Sequence, residues 1–215
     1  MKRTVCMLLL AVASCRPDPG DSDYENHQPT DPDGPGPGGE EEILPGPFPY
    51  QAGQRRLAVG FYEGGKSEEI IVNDVDTHIY LYEGTANIES STTRIEGKVA
   101  DRVVHTGKTW LGFGIHWDTP HNLDAWKTLH VSLNSADPGF SSVKIGMSDT
   151  KGIQVDVGKY GYVNDGQWHH VAIPVSDFTA AGVKLNAIQA PFVFIAGQGA
   201  AGNSLLLDNL YFTVD

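Results

Sequence analysis

Cysteine is nearly absent from this 215-residue chain. Its two cysteines, Cys6 and Cys15, both fall within the first fifteen residues, so no disulfide framework staples the remainder. Long apolar runs are absent as well. The run from Thr4 to Ser14 is far short of the ~20 residues that a membrane-spanning helix needs. Positive charge is scarce: 15 Lys and Arg face 27 Asp and Glu, a formal net charge of −12. That balance argues against DNA, RNA or an anionic membrane as the main partner and leaves neutral ligands such as sugars open. No stretch sustains helical periodicity over three turns, and Asp177–Leu185 has room for one short helical turn. Catalytic signatures are missing too. There is no Gly-x-Ser-x-Gly elbow, no phosphate loop and no cysteine beyond the leader. Glycosidases need two facing carboxylates, whereas Asp149, Asp156 and Asp165 are scattered over turns. His169 and His170 are adjacent and point to opposite faces of a strand, so they do not share one zinc ion.

What is present begins with a leader. Lys2 and Arg3 precede the short apolar run, the pattern of a secretory signal. The run ends Val12-Ala13-Ser14-Cys15, which resembles a bacterial lipobox. The resemblance implies cleavage after residue 14 and lipid on Cys15, and it places the protein at the cell envelope, in the outer membrane or at the cell surface. Nine prolines, six glycines and nine acidic residues lie between Arg16 and Pro49. Such a segment has too little apolar surface to offset chain entropy. Residues 15–50 therefore read as a lipidated cysteine and a tether that spans on the order of 100 Å when extended. The lipid is then the only link to the membrane.

Residues 51–215 carry recurrent strand signals separated by glycine and proline turns. They run from Leu57–Tyr62 and Glu69–Val72 through Ile79–Tyr82, Thr93–Val104, Thr109–Trp117, Leu129–Leu133, Val143–Met147, Ile153–Val157, Val171–Val175 and Phe192–Ala196. The last stretch, Ser204 to Asp215, has no glycine or proline and reads as one long closing strand. Many short strands predict an all-β fold, a two-sheet antiparallel β-sandwich or a barrel. Simple alternation in the last strand puts Leu206, Asp208, Leu210, Phe212 and Val214 on the core face. A carboxylate there must be compensated. Asp208 either accepts backbone N–H bonds at the sandwich rim or helps hold a cation. Calcium takes six to eight oxygens, and Glu63, Asp74, Asp76 and Glu83 are other turn carboxylates available to it. Asn73-Asp74-Val75-Asp76 lacks the glycine and glutamate of an EF-hand loop.

Two strands offer outward groups suited to a sugar. On the first, Trp110, Gly112, Gly114 and His116 alternate with apolar Leu111, Phe113, Ile115 and Trp117. Glycines between an aromatic and a histidine leave an open surface close to the backbone. On the second, Trp126, Thr128, His130 and Ser132 alternate with Leu129, Val131 and Leu133. Aromatic area with a few orienting polar groups is what a glycan platform requires. Tyr160 and Tyr162 sit in a glycine-rich loop, where binding residues often lie.

The runs Tyr82-Glu83-Gly84-Thr85-Ala86, Trp126 to Leu133, Tyr160-Gly161, Asp165 to Val175 and Leu207 to Phe212 together resemble a carbohydrate-binding module of the galactose-binding-like jelly-roll type. The resemblance covers roughly Leu57 to Asp215. It implies a jelly roll with one structural calcium, held by Asp208 with Glu63 foremost and Glu83 or Asp76 less so. It also implies that Trp126 is structural, in competition with the ligand role above. The expectation is a monomeric, lipid-anchored module that binds a polysaccharide or oligosaccharide without chemistry. The alternatives are a hydrolase or lyase on the same sandwich, or an adhesion lipoprotein that binds protein.

Overall fold

The computed structural model describes residues 56–58, 77–95, 99–149 and 152–214. The leader with Cys15, the tether, the Glu69–Val72 stretch and the carboxylates Glu63, Asp74 and Asp76 lie outside the described residues. Among the described residues eleven strands and one short α-helix follow in order: β1 (Arg56–Ala58), β2 (Thr77–Leu81), β3 (Ala86–Ser91), β4 (Ala100–His105), β5 (Leu111–Trp117), β6 (Thr128–Asn134), β7 (Val143–Ser148), β8 (Gly152–Asp156), β9 (His169–Pro174), α1 (Val175–Ala180), β10 (Ala190–Ala196) and β11 (Ser204–Thr213). One sheet runs β3-β4-β11-β6-β9, with β1 also paired to β11. The other runs β2-β5-β10-β7-β8. Every pairing is antiparallel. The result is a two-sheet jelly-roll sandwich.

Alternation builds the core. Leu111, Phe113, Ile115 and Trp117 of β5, with Phe192 and Phe194 of β10, face Leu129, Val131 and Leu133 of β6 and Phe212 of β11 in one buried cluster. The Phe113 and Phe194 rings stack with centroids 5.1 Å apart. Trp126 belongs to this cluster and is 1% exposed.

The closing strand departs from simple alternation. Its register against β6 shifts between Asp208 and Tyr211, and Asn209 takes φ 58°. This is a β-bulge, and it reverses the parity of the strand. Leu205 and Leu207 face the core before it, and Leu210 and Phe212 after it. Leu206 and Asp208 therefore leave the core face expected for them. Asp208 pairs with Ser132 on the outer side of its sheet, yet it is only 8% exposed. Its Oδ2 accepts the Ile95 N–H at 2.7 Å and its Oδ1 the Asn209 N–H at 2.8 Å. The carboxylate thus stabilises the bulge and pins the segment after β3. Glu83, by contrast, is exposed in the turn Tyr82–Gly84. Among the described residues no three His, Cys, Asp or Glu side chains converge as metal ligands.

Candidate functional site

The outer face of the β5 sheet is ordered in rows that cross the strands. One row contains Tyr80, Gly114, Val193, Gly146 and Gln154, and the next Gly112, Ile195, Lys144 and Asp156. A third pairs His78 with His116. Each residue here has the parity opposite to the core set, so the face is solvent-directed by the same alternation that buries Phe113 and Ile115.

Tyr82 caps β2 and turns onto this face. The following Glu83 and Gly84 take φ 52° and 58°, which reverses the chain within one tight turn. Thr85 locks the turn to β5: its hydroxyl donates to the Tyr82 carbonyl at 2.7 Å and accepts the Gly112 N–H at 2.9 Å. Lys108 Nζ donates to the Glu83 carbonyl at 2.6 Å. The Tyr82 ring consequently lies over β5. A methyl placed on Gly112 would collide with Trp110 Cζ3 and stand 3.0 Å from Tyr82 Cδ2. One on Gly114 would collide with Tyr82 Oη and stand 2.9 Å from His116 Nε2. The space above both glycines, expected to be open, is filled by these rings.

Both rings thus reach over Gly112. Trp110 and Tyr82 have centroids 6.5 Å apart and planes 27° from parallel, a stacked aromatic pair that forms the floor of this face over β5. His116 stands at its end, 84° to Tyr82. Its Nε2 lies 2.9 Å from the Tyr82 hydroxyl, and Tyr80 packs edge-on against it at 4.7 Å. Burial pushes the Tyr82 phenol up to about 12 and lowers the His116 imidazole below its ordinary value. Both are uncharged at neutral pH. Beyond Val193 and Ile195 the face turns polar, with Lys144 and Gln154 exposed. Asp156 spends its Oδ1 on the Gly158 N–H, and Asp118 bonds His78 at 3.0 Å. A neutral aromatic floor beside polar groups suits a ligand with apolar C–H faces and hydroxyl edges.

The profile of the family described as carbohydrate binding domain 30 matches residues 54–214. The chain belongs to this family. Among solved structures, a family 30 carbohydrate-binding module is similar over 74% of this chain and 83% of its own, at 17% identity and TM-score 0.51. The family 11 module of the cellulosomal cellulase Lic26A-Cel5E of Clostridium thermocellum is similar over 73% and 96%, at 14% identity and TM-score 0.48. A family 11 module from the same organism, in complex with a β-1,3-1,4-mixed-linked tetrasaccharide, is similar over 73% and 97%, at 15% identity and TM-score 0.47. No curated protein matches the chain.

In this carbohydrate-binding module, Trp110 and His116 share the floor, and the other expected ligand residues do not. β6 belongs to the opposite sheet, so the platform expected from two strands is divided between two faces. Trp126 is sealed in the core. His130 is 4% exposed. It stacks on Tyr211 at 4.8 Å and lies 3.0 Å from His170 Nε2 and 2.9 Å from Thr213 Oγ1. Tyr162 is 6% exposed and donates its hydroxyl to the Phe140 carbonyl at 3.0 Å. Tyr160 is half-buried against the core, and its hydroxyl donates to Asp177 on α1 at 2.5 Å. It lies past the end of β8, with β10 and β7 between that strand and β5. Sequence reasoning missed Tyr80, Tyr82 and His78. Their alternation along β2 was readable, but their value comes from pairing with the glycines of β5, which no local signal announces.

Proposed function

We propose that the module binds a polysaccharide chain without chemistry, on the outer face of the β5 sheet, and displays that site from a lipid on Cys15. The observation that carries the reading is the nearly parallel Trp110–Tyr82 pair over Gly112, uncharged and half-exposed. Pyranose C–H faces stack on such rings, while Gln154 and Lys144 offer hydrogen bonds to hydroxyls on the same face. The described acids of this face support binding over turnover. Asp118 and Asp156 sit on opposite sides of it, and each already has a partner, unlike the facing pair that glycoside hydrolysis uses.

The acidic tether between Cys15 and the sandwich suits display at the outer membrane or cell surface. A structural calcium on Asp208 and Glu63 is a further part of the proposal. Its support is the family resemblance, since Asp208 already holds two backbone N–H groups.

The test is a polysaccharide pull-down and glycan-array screen with the full chain, with and without calcium. Saturable binding that Trp110→Ala abolishes, with no product released, is the expected result. Released product that depends on an acidic pair would favour the hydrolase or lyase reading. Binding untouched by Trp110→Ala would overturn the face.

A further inference from the structure

The floor is held in place by atoms that need not touch a ligand. Gly112 and Gly114 have ordinary extended backbone, outside the left-handed region that favours glycine. Their lack of a side chain is explained by the space above them. Tyr82 occupies that space lengthwise, from Cδ2 near Gly112 to Oη over Gly114. At its far end the hydroxyl meets His116 Nε2 at 2.9 Å. A tyrosine laid along a strand has two ways to leave it, by rotating away from the sheet or by sliding along the strand. The Thr85 anchor fixes its backbone, the glycines admit the ring, and the His116 bond fixes its tip.

We infer that Tyr82 is the specificity-determining residue of the floor, and that His116 is a positioning residue which acts on the glycan only through the Tyr82 hydroxyl. This rests on the reading of the β5 sheet as the glycan face and deepens it. Trp110 alone offers one stacking ring. Tyr82, nearly parallel to it and reaching on over Gly114, makes two, so the site reads two consecutive sugar rings. With its tip released, Tyr82 stands away from the plane and the second position is lost.

The surroundings of His116 bear on its protonation. β2 and the turn after it present His78, Tyr80 and Tyr82 to it, Asp118 follows the end of β5, and β10 offers Pro191 and Val193, neither ionisable. Protonation of His116, which its burial opposes, makes Nε2 a donor to the phenol oxygen, so the contact between the two side chains persists in either protonation state.

The experiment is a double-mutant cycle on the full chain, with the β-1,3-1,4-mixed-linked tetrasaccharide as probe and calorimetric titration as readout. His116→Leu and Tyr82→Phe should each weaken binding about five-fold, the scale of one net hydrogen bond. In the Tyr82→Phe background His116→Leu should have no further effect, and His116→Gln should restore wild-type affinity to within about two-fold. Gly114→Ala, whose methyl takes the place of Oη, should cost about ten-fold with the fold retained. Additive effects of His116→Leu and Tyr82→Phe would overturn the inference, because His116 would then touch the sugar itself. Trp110→Ala is the control for the face: if it leaves binding intact, or the probe does not bind, the reading of the face fails. The positioning claim is then decided without ligand. Proton NMR contacts between the Tyr82 ring and Gly114 should be present in the wild type and lost in His116→Leu. Their persistence in that variant would sink the inference.

Discussion

At the scale of single residues, parity separates tryptophans that look alike in sequence. Trp110 lies half-buried on the floor, whereas Trp117 and Trp126 are in the core. Trp126→Ala should cost about 3–5 kcal/mol, the usual loss for a large buried aromatic, and should leave the chain largely unfolded in a thermal melt. Trp110→Ala should move the melting temperature by only a few degrees while glycan binding is lost. A melt in which the two variants behave alike would place Trp110 in the core instead. His130 makes the same point. Its outward parity on β6 was legible, and so was the outward parity of His116 on β5. Only His116 reaches a surface, because His130 is enclosed with His170, Tyr211 and Thr213. Burial lowers the His170 imidazole to about 4. The folded state resists its protonation and the unfolded state does not. Stability should hold above about pH 6.5 and decline from there toward pH 4, by roughly 5–10 °C in melting temperature. His170→Asn should flatten that decline in a pH series of melts.

At the scale of elements, the strands rich in apolar residues were readable nearly to their ends. Thr109–Trp117 became β5 and Phe192–Ala196 became most of β10. β3 was missed because Asn87, Glu89 and Ser90 are exposed and leave no apolar run to recognise. The bulge of β11 was missed for a different reason. A single left-handed Asn209 changes the face of every residue beyond it, and nothing in the local pattern of Leu206 to Phe212 demands it. The bulge depends on Asp208. Asp208→Ala strands the Ile95 and Asn209 N–H groups and should cost about 1–3 kcal/mol, read as a lower midpoint in urea. Asn209→Val puts a β-branched residue at positive φ and should cost a comparable amount. Asn209→Gly should be tolerated.

At the scale of the whole molecule, one end of the chain is proposed to serve attachment and the other recognition. Cys15→Ser should release the protein from the membrane fraction without altering glycan affinity. Retention of the variant in that fraction would remove the lipid anchor from the proposal. If calcium is held through Asp208 and Glu63, chelation should lower the melting temperature by several degrees, as for any ligand bound only by the folded state. An unchanged melt after verified metal removal would dispose of the ion. The sequence by itself determined the fold class, because period-two apolar alternation and turn residues are local properties that every strand must satisfy to bury one face. It also determined that Trp110 and His116 share a strand face with two glycines. Only the tertiary structure decided that β5 lies beside β2 and in the sheet opposite β6, since strand partners distant in sequence are chosen by the packing of both sheets together. That choice laid Tyr82 over Gly112 and Gly114, buried Trp126 and His130, and made a floor of two rings from residues that no linear pattern connects.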